Sequence, residues 1–244
     1  MPETGHGKNV ENLQKAVNFA TGWGAAYQPS NPILAVAAMT AQVAAGGGEI
    51  DGVQANRTPY RNATAAADDA FKPLSNLTRR IMKAAKAQGV PASVIEDADT
   101  YARKVLGERK TAAIVDDPAT PDVDESLQSH SASQMSRTQR IENFDSLRLL
   151  FDAQPLYAPN EVEFQPDTMK TYKNDLIAKT EAVGTTFVPY SNAMASRDDV
   201  LYINADSVFT TGTLFKAYVE YVFNRGSTEW NQIKGLIFRD LRRK

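Results

Sequence analysis

The sequence predicts an all-α protein made of two tandem, pseudo-symmetric helical-bundle units with long kinked helices. Three observations carry that expectation. Apolar residues recur three or four positions apart through most of the chain, which places them on one face of a helix. No run alternates with period two over a strand's length, so a sheet has nothing to form from. The chain also repeats itself. Over the thirteen positions from Pro59 to Phe71, shifted by 130, seven residues are identical: Pro59/Pro189, Tyr60/Tyr190, Asn62/Asn192, Ala63/Ala193, Ala65/Ala195, Asp68/Asp198 and Asp69/Asp199.

Other marks of the repeat are Val10-Glu11-Asn12 against Ile141-Glu142-Asn143, Tyr27 against Tyr157, and Gly89 against Gly226. The last pair stands 137 apart, so copy two holds an insertion of about seven residues. Copy one opens with Val10, Leu13, Val17 and Ala20 at helical spacing, and copy two with Ile141, Phe144, Leu147 and Phe151. Pro29 and Pro159 then mark a turn, since proline cannot continue a helix and restrains the residue before it. A long second helix follows in each copy. It reads as "ILAVAAMTAQVAA" onward in copy one, and as Met169, Tyr172, Leu176, Val183 and Phe187 in copy two. A third helix carries Leu77, Ile81 and Ala85 in copy one. Its counterpart carries Val208, Phe215, Val219 and Val222, with Leu214, Tyr218 and Phe223 widening the apolar face. Copy one closes with the regular amphipathic stretch "PASVIEDADTYARKVLG", and copy two with a shorter segment ending "RDLRRK".

Pro59 and Pro189 fall inside the long second helices, where a proline removes one hydrogen bond and costs about 3 kcal/mol. Thr58 is a candidate cap for a helix restarted at Pro59, whereas Val188 has no side-chain oxygen, so a kink is expected at Pro189 and either outcome at Pro59. Tyr60 and Tyr190 are expected to pack beside these kinks, with Asn62 and Asn192 satisfying the carbonyls that the prolines free. Residues 113–136, rich in Pro, Ser and acidic side chains, read as a linker between a first repeat unit (1–112) and a second (137–244).

Composition excludes several functions. Lys plus Arg number 27 against 29 Asp plus Glu, which leaves no general attraction to phosphate backbones, so nucleic acid is not an expected partner. Without cysteine there is no disulfide and no thiol catalysis. His6 and His130 both read as tail or linker residues, outside the helices. The apolar run near Ile33 is too short for the roughly 20 residues that span a bilayer. "MPETGHGKNVENLQ" has no apolar leader core, which fits a cytoplasmic protein or one exported by another route. The Asp68/Asp69 and Asp198/Asp199 pairs are the candidates for acid/base or metal chemistry. Adjacent helical residues diverge around the axis, however, so a pair cannot converge on one ion alone, and Asp68 with Lys72 makes a simple i,i+4 pair. No catalytic residue, cofactor, metal or small molecule is identified.

The motifs Ile141-Glu142-Asn143-Phe144, Tyr157-Ala158-Pro159-Asn160-Glu161, Arg197-Asp198-Asp199-Val200-Leu201-Tyr202 and Lys216-Ala217-Tyr218-Val219 resemble those of a group of uncharacterised bacterial helical proteins, over roughly residues 133–238. The resemblance implies a helical fold and no activity. The expected function is a non-enzymatic structural or interaction protein that assembles with itself into a filament, tube or shell. A small-molecule- or metal-binding bundle and a membrane-active helical protein are the alternatives. A duplicated unit presents similar surfaces twice, which favours head-to-tail contacts. Trp230, Leu236, Ile237 and Phe238 are the expected apolar contact residues, and Arg242 and Arg243 the charged ones.

Overall fold

The computed structural model describes residues 4–108 and 135–242. Every regular element among them is a helix, as the apolar spacing predicts. In chain order they are α1 (Thr4–Trp23), α2 (Val36–Phe71), α3 (Leu74–Ala87), α4 (Ala92–Leu106), α5 (Arg137–Asp152), α6 (Pro166–Asp198), α7 (Val208–Phe223) and α8 (Thr228–Ile233). Short 3-10 turns at Pro32–Leu34 and Val162–Phe164 lead into α2 and α6. A π-helical turn, Asp199–Ile203, follows α6.

Local signals explain the helix ends. The hydroxyls of Ser136, Ser207 and Ser227 accept from the backbone N–H three residues on, capping α5, α7 and α8. Gly107 ends α4 with φ of 73°, the left-handed conformation glycine adopts without steric penalty. The 3-10 turns are braced alike. The Tyr27 hydroxyl donates to the Leu34 carbonyl at 2.7 Å and the Tyr157 hydroxyl to the Phe164 carbonyl at 2.9 Å, 130 positions apart.

Both α2 and α6 continue through their prolines as single helices. The cap expected of Thr58 is not used, since its hydroxyl donates to the Gln54 carbonyl at 3.4 Å within the continuing helix. Asn62 and Asn192 are exposed, and neither side chain takes up the freed carbonyl. Tyr60 and Tyr190 instead meet each other, their rings stacked 5.5 Å apart and tilted by 14°. The repeated tyrosine therefore supplies both halves of one contact.

Two compact units form, and they cut across the sequence copies instead of following one another along the chain. Unit one comprises residues 1–60 and 186–244, and unit two residues 61–185. The core of unit one joins Leu13, Ala16, Val17 and Ala20 of α1 with Leu201, Val208, Phe215, Val219 and Ile233. That of unit two joins Leu74, Ile81 and Ala85 of α3 and Ala98, Ala102 and Val105 of α4 with Ile141, Phe144, Leu147 and Phe151 of α5. Each unit thus packs the opening helix of one copy on the closing helices of the other. In each copy the long helix, unbroken at its proline, carries the chain out of its first unit, so a copy's two halves contribute to different cores.

Candidate functional site

Most of the expected contact residues of the C-terminal segment are held inside unit one. Leu236 is buried, and Trp230 and Phe238 pack against the same core. Asn9 of α1 grips the backbone of Arg239 in both directions, its amide donating to the carbonyl at 2.7 Å and its oxygen accepting from the N–H at 3.1 Å. Asn12, one turn on, donates to the Ile237 carbonyl at 2.8 Å. The Lys216 ammonium donates to the carbonyls of Lys234 and Leu236, and stands 5.9 Å from the Trp230 ring centroid. Gly212 of α7 lies beneath Phe238, where any Cβ would overlap the ring. Of the four apolar residues only Ile237 is exposed, and Arg242 closes on Asp240. Arg243, His130 and most of the linker lie outside the described residues.

His6 does not lie in a tail outside the helices. It is a buried residue of α1, and its Nδ1 stands 2.7 Å from the Tyr202 hydroxyl. Residues 4–9 contain two glycines and little apolar character, so periodicity gives no sign of a helix there; Tyr202 and Leu241 supply what holds it. Asn9 also reaches Tyr202, at 3.5 Å. Buried Arg197 pairs with Asp198 at the other side. Tyr202 sits on the π-helical turn, an extra-residue turn frequent at functional sites, and this one coincides with the insertion in copy two. The cluster ties α1, the end of α6 and the C-terminal segment together.

Burial raises the pKa of four tyrosines. Desolvation pushes Tyr172 and Tyr202 up to about 12, and Tyr27 and Tyr157 well above the usual phenol range. A pKa raised on folding means that the stabilising effect is complete below the unfolded value of about 10 and is lost as pH rises through the folded value. In an alkaline titration, these phenolates are expected to appear together with the loss of helical circular dichroism. Their ionisation below pH about 10 with helicity intact would contradict their burial.

The four aspartates do not converge. Asp68 pairs with Arg137 at 2.6 Å, Asp69 with Lys72 at 2.6 Å, and Asp198 with Arg197 at 2.7 Å, while Asp199 is exposed. The lysine partner is therefore Asp69, at i,i+3, and not Asp68. Among the described residues no three His, Cys, Asp or Glu side chains gather as a metal site, and no helix is long and apolar enough to cross a membrane.

What the sequence did not single out is the outer face of α7. Leu214 and Val222, expected in the core, are both 38% exposed, and Tyr221 is 83% exposed. Leu214, Tyr218 and Tyr221 fall along one line of the helix, with Ala217 and Val222 on either side, and no charge interrupts them. Tyr218 is half-buried, its hydroxyl accepting from the Gln28 N–H at 3.1 Å. The rest of α7 explains the exposure: Phe215 and Val219 already fill the inward face, so the wider apolar arc has nothing left to meet.

Unit two carries open grooves instead. One of about 550 Å³ lies between α3 and the 158–164 turn, with Arg80, Lys83, Gln88, Asn160 and Phe164 around it. A second, of about 280 Å³, is lined by Pro73, Leu77, Met169 and Tyr172. Arg80 borders both, paired with Glu163 and lying 4.8 Å over the Phe164 ring. Comparison with protein-family models, curated proteins and solved structures finds no match for the chain.

Proposed function

We propose that the protein is a non-enzymatic structural or interaction protein that associates with further copies of itself, with the outer face of α7 as its contact. The uninterrupted apolar line Leu214–Tyr218–Tyr221 carries this reading. An exposed aromatic and aliphatic seam two turns long is the form in which one helix offers itself to another. A second α7 fits it, because a two-fold contact sets the same patch against itself. Tyrosine suits such a role: it buries a large ring at little conformational cost and keeps its hydroxyl in water at the rim. The buried polar side chains described above support the reading from the other side, since each is engaged in fastening helices, turns or the C-terminal segment.

Light scattering on the purified chain tests it. Particles larger than the 26.7 kDa chain are expected at micromolar concentration, and the double substitution Leu214→Lys with Tyr221→Lys is expected to leave monomers with unchanged helicity. A monodisperse monomer from the unsubstituted chain overturns the proposal, as does an assembly indifferent to both lysines.

A further inference from the structure

The cross-copy contacts point to a second mode of association, independent of the α7 face. At equivalent places the two units make equivalent bonds, and each bond joins one copy to the other. Tyr172 donates to the Ala70 carbonyl at 2.7 Å in unit two, and Gln42 to the Val200 carbonyl at 3.3 Å in unit one. Both partners are displaced by 130 positions. The backbone N–H of Gln28 meets Tyr218 at 3.1 Å, and that of Ala158, again 130 on, meets Gln88 at 2.8 Å. Arg140 of α5 reaches the Val105 carbonyl at the end of α4, as Asn9 of α1 reaches that of Arg239.

Side-chain volume follows the same rule. Ala16 and Ala20 stand in α1 where α5 has Leu147 and Phe151; α7, packed on α1, offers Phe215, and α4, packed on α5, offers Ala98 and Ala102; all seven are buried. A small opening helix meets a large closing one in unit one, and the reverse holds in unit two. Pairing a copy with its like would set small against small or large against large, leaving a void or an overlap. Copy one therefore fits copy two, whichever molecule supplies it.

We propose that two molecules of this protein exchange copies, so that copy one of each closes its cores with copy two of the other. The partner is a second copy of this chain, and the contacts are those already in the units, repeated between molecules. Only the segment between α4 and α5 ties the two copies covalently. Its ends meet: Met135 Sδ lies 2.6 Å from where a Gly107 Cβ would be. A covalent link holds the two copies at an effective concentration of roughly millimolar order, so the closed monomer dominates in dilute solution and exchange grows with protein concentration. Exchanging chains must part their cores first, so the product forms during folding and persists on dilution.

The test uses the full chain carrying Leu214→Lys and Tyr221→Lys, which removes the α7 contact and keeps the two proposals separate. Refolded from denaturant at near-millimolar concentration and then diluted, it is expected to contain a fraction of twice the 26.7 kDa mass. That fraction should show the circular dichroism of the monomer and revert only slowly. A second variant lacking residues 107–136 joins α4 directly to α5, so that α5 cannot fold back on its own α4. Dimers or longer chains with native helicity and no monomer are expected. Monomer alone after refolding at every concentration overturns the proposal, and so does a helical monomer of the fused variant. Should the fused variant not fold, the refolding result alone decides.

Discussion

Cleaving the segment between α4 and α5 after folding is expected to leave the two copies bound as a single particle. With a protease site placed within residues 113–136, the nicked protein should elute with the intact chain and melt at a similar temperature, and should divide only in denaturant. Each unit draws its core from both copies, so separating the fragments opens both cores at once. Interfaces of that kind resemble a domain core cut in half, and the fragments should stay together on dilution to roughly nanomolar concentration. Two free fragments, each folded and of about half the mass, is the outcome that two self-contained tandem bundles would give, and it would defeat the interleaved arrangement.

Replacing Phe215 by Ala is expected to destabilise unit one by about 3–5 kcal/mol, the range for a large buried aromatic whose cavity cannot fully collapse. Phe215 is fully buried and packs its ring 6.0 Å from Trp23 and 5.9 Å from Tyr27. Phe144→Ala should cost unit two a similar amount, since that ring is also fully buried and meets Tyr172 edge-on at 5.8 Å. Both tryptophans of the chain, Trp23 and Trp230, lie in unit one, so their fluorescence reports that unit alone. Phe215→Ala should lower the tryptophan-detected midpoint strongly. Phe144→Ala should move the midpoint detected by circular dichroism more than the fluorescence one. Equal loss in both signals from either substitution would show that the two cores melt as one, despite having no core residue in common.

Gly212 offers a smaller counterpart. Gly212→Ala adds a single methyl where the Phe238 ring lies, so the C-terminal segment must lift from α7 while the core beneath stays filled. Faster proteolysis near residue 236 without a large shift in melting is the expected result.

By itself the sequence determined the helical class, the repeat and many of the helix ends. These are local properties: the 3.6-residue period marks the apolar face, a serine hydroxyl reaches an N–H three residues away, and glycine alone turns left-handed without strain. The tertiary structure decided which apolar faces meet. Periodicity shows that α1 and α7 each have an inward face, but nothing within either segment says that Ala16 and Ala20 leave room for Phe215 from the other copy; only volume matching across the fold selects that partner. The same holds at single residues. His6 is buried because Tyr202, 196 positions away, arrives beside it. Leu214 is exposed because Phe215 and Val219 have already filled the core that its spacing shares with them. Pro59 and Pro189 sit within unbroken helices because tertiary packing outweighs the one hydrogen bond that each removes, and so the chain leaves one core to complete another.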